Sequence, residues 1–309
     1  MDLVVMLFDD FLVGPIASGA GALLTALDTQ TAAQFTAATA NSPLLSPTSP
    51  LRQFIVAWFV LTLGAYLFYF FFSTLNFYLL HRPLGNLNHS PFKDQVRMEI
   101  AMACRAIPWM GLLTAPIVVL ECQGYSRLYG PGTDVGYADY GHIYTLATCA
   151  VFLVFTDGCI YFIHRALHWP VFYKTLHKDH HKWKSPTPFA SHAFHPVDGW
   201  AQSVPYHIFA FVVPMHKVVF LALFVFVNVW TVSIHDGVTA YPFKFLNGAA
   251  HHTYHHKDFN YNYGQYFVFW DWLGDTLRDP YGPGRLLDPA ACGEKKKKDV
   301  GFTASKKEN

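Results

Sequence analysis

At 309 residues, with 52 % apolar residues against 14 % charged ones, the chain departs from soluble domains, in which about a quarter of residues are charged. A net charge of +1 is too balanced for a nucleic-acid partner, and 28 phenylalanines call for an apolar solvent, the lipid bilayer. The five cysteines form no CxxC pair, so neither a disulfide framework nor a thiolate metal site is expected.

Residues 1–50 lack a basic leader, and Asp9 and Asp10 interrupt the first apolar run, so they read as an N-terminal segment without a signal peptide. An apolar run over 51–80 is long enough to cross a bilayer. A polar connection with Arg82, Lys93 and Arg97 leads to a second run over 100–120, interrupted by Pro108 and Pro116. A Gly/Pro/Asp loop over 121–141 precedes a third run, 142–163, which delivers the chain to His164. Beyond a histidine-rich stretch, two apolar arms, 204–213 and 218–234, form a hairpin that returns to His235, leaving open whether its tip crosses fully. The domain 51–290 is thus expected to be all-α, a polytopic membrane bundle with a cytosolic helical cap carrying the histidines and no sheet of consequence.

Charge orients the bundle. The 81–99 connection is basic, 121–141 carries Glu121, Asp134 and Asp139 against Arg127, and the histidine stretch holds Arg165, Lys174, Lys178, Lys182 and Lys184. By the positive-inside rule the histidines face the cytosol and residues 1–50 the lumen. The tail, 291–309, is basic and expected in the cytosol. Its last residues, Lys306-Lys307-Glu308-Asn309, resemble a dilysine retrieval signal of the endoplasmic reticulum.

The chemistry lies in the histidines. His164 and His168 are four apart; His177, His180 and His181, and again His252, His255 and His256, repeat at i, i+3 and i+4. On a helix such spacings stack imidazoles on one face. Eight are too many for one tetrahedral site, so two metals in one cage are expected. His235 is a further candidate because its apolar helix returns it to the cage; His195 reads equally as a ligand or as a support for one. His192 and His207 read as structural or as supports for a ligand, and Asp179, Asp236 and Asp258 as acids that orient imidazole N–H groups. A site at the membrane suits a lipid with unactivated C–H bonds, which calls for a redox metal with dioxygen, two irons ligated by nitrogen, rather than zinc.

The motifs HRALH, HKDHH and HHTYHH, in that order, resemble the eight-histidine pattern of the fatty acid hydroxylase/sterol desaturase superfamily. Residues 176–209, with IHDG at 234–237 and FNYNYGQYF at 259–267, resemble its Δ7-sterol 5(6)-desaturase branch. The resemblance implies a non-haem di-iron centre on the eight motif histidines, and O2-dependent formation of a C-5(6) double bond in a Δ7-sterol. It further implies electrons from NADH through cytochrome b5 and its reductase. With no haem or dinucleotide motif in the chain, the donor is a separate protein, expected to dock around Lys174–Lys184. A sterol needs an apolar pocket, for which Trp183, Thr187, Phe189, Phe194, Tyr261 and Tyr263 are candidates. Two alternatives stand beside this reading: a superfamily hydroxylase or C-4 methylsterol oxidase, and a histidine-rich metal transporter.

Overall fold

The computed structural model describes residues 46, 48–85, 93–239 and 245–281. The expectations for the N-terminal segment and the basic tail fall almost wholly outside these residues.

Among the described residues the bundle has five long helices: α1 (Pro50–Asn76), α2 (Gln95–Cys122), α3 (Tyr137–Leu167), α4 (Pro196–Val212) and α5 (Lys217–Ile234). Two shorter ones, α6 (Ala249–Lys257) and α7 (Phe269–Leu273), belong to the cap. Pro50 and Pro196 occupy first helical turns, where a missing N–H leaves no bond unmade. Among the described residues, four helices are long and apolar enough to cross a membrane: the α1 segment through Leu84, α2, α3 and α5. Large apolar side chains on them point outward, among them Leu67 (65 % exposed), Ile143 (87 %) and Leu146 (71 %), as surfaces solvated by lipid do.

Inside the bundle, packing and backbone chemistry reinforce each other. Pro108 removes the N–H that would bond to the Cys104 carbonyl, and the Tyr66 hydroxyl donates to that carbonyl instead (2.6 Å). Trp58 Nε1 donates to the Pro108 carbonyl at 2.8 Å, so α1 and α2 are tied twice around one proline. Beyond the Trp58 tether, Val56, Ala57 and Val60 pack against Ala115 and Val118. A second core, with Phe152, Ile160, Phe209, Phe220 and Val227, joins α3, α4 and α5.

The hairpin of α4 and α5 runs the length of the bundle. At its tip β2 (Met215–His216) pairs in parallel with β1 (Leu128–Tyr129), in register Leu128↔Met215. Arg127 N–H donates to the Ala210 carbonyl (2.8 Å), and the Tyr144 hydroxyl to that of Pro214 (2.9 Å). The tip therefore meets the 121–141 connection, at the end opposite the histidines. The small ladder agrees with an architecture governed by helices.

At the other end the chain is wound, but not as one α-helix. After Pro170–Phe172 the backbone widens to a π-turn over Tyr173–His177, with Lys178 N–H bonded to the Tyr173 carbonyl, and then tightens to a 3₁₀ turn over His180–Lys182. The expected α-helical face for His177, His180 and His181 is replaced by this alternation. A π-turn re-aims the side chains that follow it, a device found at functional sites.

Candidate metal centre

The clustered histidines arrive on five supports. His164 sits in the last turn of α3 and His168 at its C-cap; His177 ends the π-turn; His180 and His181 open the 3₁₀ turn; His252, His255 and His256 lie on α6; His235 caps α5. These nine imidazoles converge in two adjoining groups. The first is His164, His168, His177, His181 and His255; the second is His180, His235, His252 and His256, and within each group the ligand atoms lie within 4.8 Å of one another.

The tautomers decide what the groups can hold. His164 Nδ1 donates to the Tyr263 carbonyl (2.9 Å), His177 Nδ1 to Asp198 Oδ2 (2.7 Å), His255 Nδ1 to the Tyr261 carbonyl (2.7 Å) and His235 Nδ1 to the Thr231 carbonyl (2.7 Å). A neutral ring with its proton on Nδ1 presents a bare lone pair at Nε2. Yet the His164 and His177 Nε2 atoms face each other at 3.2 Å, His177 and His181 at 3.1 Å, His181 and His255 at 3.1 Å, and His235 and His252 at 3.0 Å. Between His164 and His177, whose Nδ1 protons are both placed, lone pair stands opposite lone pair; that is repulsive, and a shared cation removes the repulsion. Imidazole–metal bonds of about 2.1 Å set at roughly 90–110° put nitrogens about 3.0–3.4 Å apart, which is the spacing observed. The donor set therefore fits two metal ions.

Electrostatics point the same way. Burial, and then the neighbouring imidazoles, hold His180, His181, His252, His255 and His256 well below the ordinary histidine range; His168 is lowered by the same causes. Burial takes His235 down to about 4. Rings that refuse protons at neutral pH remain available as ligands.

Acids fix the scaffold beneath the rings. Asp157 on α3 accepts N–H groups from Gln265 (2.9 Å), Tyr266 (2.6 Å) and Phe267 (3.3 Å). Asp271 on α7 accepts those of Tyr263 and Gly264, each at 2.8 Å. Together they pin the loop whose Tyr263 carbonyl orients His164. Glu99 on α2 takes both the hydroxyl and the N–H of Thr187, and Gln95 bridges Glu99 (2.6 Å) to the Ser185 carbonyl (2.9 Å). Among the described residues, the carboxylate that orients a clustered imidazole is Asp198, not Asp179, Asp236 or Asp258. Asp198 is also held by Gln202 Nε2 at 2.7 Å. As the third residue of α4 it looks in sequence like an ordinary helix-start acid, which conceals its role.

His195 lies outside both groups. Its Nδ1 accepts the Val197 N–H at 3.2 Å and caps α4, so a local helix-start requirement, not metal ligation, holds this ring.

A cavity of about 410 Å³ opens from the groups into the bundle, with His164, His180, His235 and His252 at its head and Ile107, Met110, Phe224 and Val225 along its walls. From His235 back to Leu221 it spans about 20 Å of α5. Of the six expected lining residues, Phe194 borders it and the other five do not. Trp183 is wholly buried beneath Lys182. Thr187 is engaged with Glu99, and Phe189 packs on Tyr69 and Phe77. Tyr261 is covered by the Arg278 guanidinium, and the Tyr263 ring lies edge-on to His255 beside the first group. Aromatic residues near the histidines suggest pocket lining in the sequence; in three dimensions most of them are packing under the cage.

A membrane bundle headed by two imidazole groups over an apolar cavity is compatible with a dinuclear metal enzyme acting on lipid, and the comparisons agree in class. A family model described as fatty acid hydroxylase matches residues 149–276, a span that contains all nine clustered histidines. The chain is 50 % identical over 234 residues to lathosterol oxidase of Mus musculus, covering 74 % of this chain and 77 % of the relative. To the lathosterol oxidase of Homo sapiens it is 49 % identical over 233 residues, with the same shares covered. To the Δ7-sterol 5(6)-desaturase of Saccharomyces cerevisiae it is 45 % identical over 252 residues, 81 % of this chain and 67 % of the relative. The chain therefore belongs to the family of lathosterol oxidases and Δ7-sterol 5(6)-desaturases. No solved structure matches it.

Proposed function

We propose that the chain desaturates a Δ7-sterol between C5 and C6, giving the 5,7-diene, at two irons held by His164, His168, His177, His181 and His255 on one side and His180, His235, His252 and His256 on the other. The observation that carries this reading is the continuity between both histidine groups and one apolar cavity. The reaction balances as sterol, O2, NADH and one proton giving diene, two waters and NAD⁺. The two irons, when bound, supply the dioxygen activation that breaks unactivated C–H bonds. The remaining work falls to the chain. Asp198 and the Tyr261, Tyr263 and Thr231 carbonyls hold imidazole tautomers with Nε2 free for metal. The apolar walls take the ring system out of water and set its B ring against the head of the cavity.

Electrons reach the site from NADH through cytochrome b5 and its reductase, docking on the cap. Lys182 and Lys184, set over the Trp183 and Phe259 rings, offer a fixed basic face for such a donor. The endoplasmic reticulum membrane, with the cap in the cytosol, suits both that donor and the charge distribution of the connections.

The test is membranes containing the chain, supplied with a Δ7-sterol, oxygen, NADH and the donor proteins. Near-ultraviolet absorption of the conjugated diene should appear with the intact chain and vanish with His180→Ala at equal protein level. Turnover that survives the substitution would refute the site; a hydroxylated sterol without diene would reassign the reaction.

A further inference from the structure

The cavity is closed at both ends and open along one flank. At its head stand His180, His235 and His252, only 2–5 % exposed, and toward its foot the buried His207 faces the buried Glu121 at 3.6 Å. The flank is built differently. Its lining on α1 runs through Leu61, Gly64, Ala65 and Phe68, and on α5 through Leu221 and Val225. Gly64 and Val225 are exposed and the other four are half-buried, so the same residues border the cavity and the outer surface. A Cβ at Gly64 would meet no atom within 4 Å.

α1 and α5 are neighbours that share no core. Among the described residues, the buried apolar clusters join α1 to α2, and α5 to α3 and α4, but none spans α1 and α5. Toward the histidines the seam is shut by hydrogen bonds. Tyr69 donates to the Phe189 carbonyl (2.9 Å), Ser73 to that of Pro188 (3.2 Å) and Asn76 to Asp236 Oδ2 (3.2 Å). Gly64 lies twelve residues before Asn76, about 18 Å along α1, and Val225 eleven before Asp236, about 16 Å along α5. The two lips therefore stand at one depth. α5 has 18 residues, about 27 Å, and Val225 is the ninth of them, so that depth is close to the middle of the hydrocarbon layer.

We infer, on the sterol reading above, that this seam is the entrance: the sterol passes sideways from the bilayer between residues 61–68 of α1 and 221–225 of α5. Two properties select that occupant. A fused hydrocarbon ring system partitions into lipid rather than water, and the lips are apolar groups facing lipid. The passage is also continuous with the space below His235, so a molecule entering there reaches the histidines without passing either closed end. Gly64 keeps the way clear, because a large side chain at that position would stand in the gap.

The experiment plugs the seam after the chain has folded. Gly64→Cys and Val225→Cys are purified, then treated with a bulky membrane-soluble maleimide; Leu67→Cys, on α1 but away from the cavity lining, and the treated parent with its own cysteines are the controls. The probe is a fluorescent conjugated-triene sterol, whose uptake is read by energy transfer from the tryptophans of the chain and needs no turnover. Plugging at 64 or at 225 should slow uptake by about tenfold or more, with both controls unchanged. Sterol loaded before plugging should stay trapped, its release slowed to a similar degree. Uptake within twofold of the unplugged rate at both positions overturns the inference. Expulsion of preloaded sterol on plugging also overturns it, because it makes these residues cavity wall rather than passage. An intact chain that takes up no sterol would instead defeat the sterol reading itself.

Discussion

Asp198→Asn is the most informative small change in the centre. The substitution keeps shape and volume but removes the charge that faces His177 Nδ1 at 2.7 Å, with both side chains at 0 % exposure. Asparagine keeps one acceptor oxygen where Asp198 offers two, to His177 and to Gln202, and a charge-assisted hydrogen bond of this kind contributes about 1.5–3 kcal/mol. Losing the outer partner of a ligating imidazole weakens metal binding by about 10–100-fold, roughly 1.4–2.7 kcal/mol. The two figures agree. The assay is elemental analysis of detergent-purified chain dialysed against a graded series of chelator. The chelator concentration that strips half the metal should fall by about 10–100-fold in the variant, whereas His195→Ala should stay near the parent, because that ring caps α4. A half-stripping concentration for Asp198→Asn within twofold of the parent would refute the reasoning.

Three further outcomes are expected. Gly264→Ala should yield a chain that retains metal poorly and unfolds earlier on heating in detergent, because the new Cβ would meet the Phe267 carbonyl at 2.6 Å and Asp271 Oδ2 at 3.0 Å in the loop orienting His164; an unchanged midpoint would contradict it. Thr187→Val should cost about 1–3 kcal/mol by leaving the buried Glu99 carboxylate short of the Thr187 hydroxyl, read as a lower unfolding midpoint that Glu99→Gln alongside it partly restores. Cysteines introduced at the exposed positions Thr133 and Lys178 should react with an impermeant thiol reagent from opposite faces of sealed vesicles, and labelling from one face would contradict the placement of the hairpin tip.

The sequence carried the architecture and most of the cage because both are written in short-range spacing. Apolar runs gave the crossings, and i, i+3, i+4 repeats gave His252, His255 and His256 on α6. The return of α5 to His235 followed from the hairpin alone. What stayed hidden depends on contacts between distant positions. Asp157 reaches the 265–267 backbone across more than 100 residues, and no local pattern marks a lone acid in an apolar helix as a loop anchor. The pairing of β1 with β2, which settles how far the hairpin runs, joins positions 87 residues apart. His195 was ambiguous for the opposite reason: three residues from His192 and from Asp198, it sits amid site residues while serving only its own helix.

If nine imidazoles from five segments hold two metal ions, counting metal shows it most directly. Elemental analysis of the purified, iron-reconstituted chain should find two irons per chain, and X-ray absorption should show a nitrogen shell with a second iron beyond it. One iron per chain, or full diene formation by a chain stripped of metal, would contradict the account.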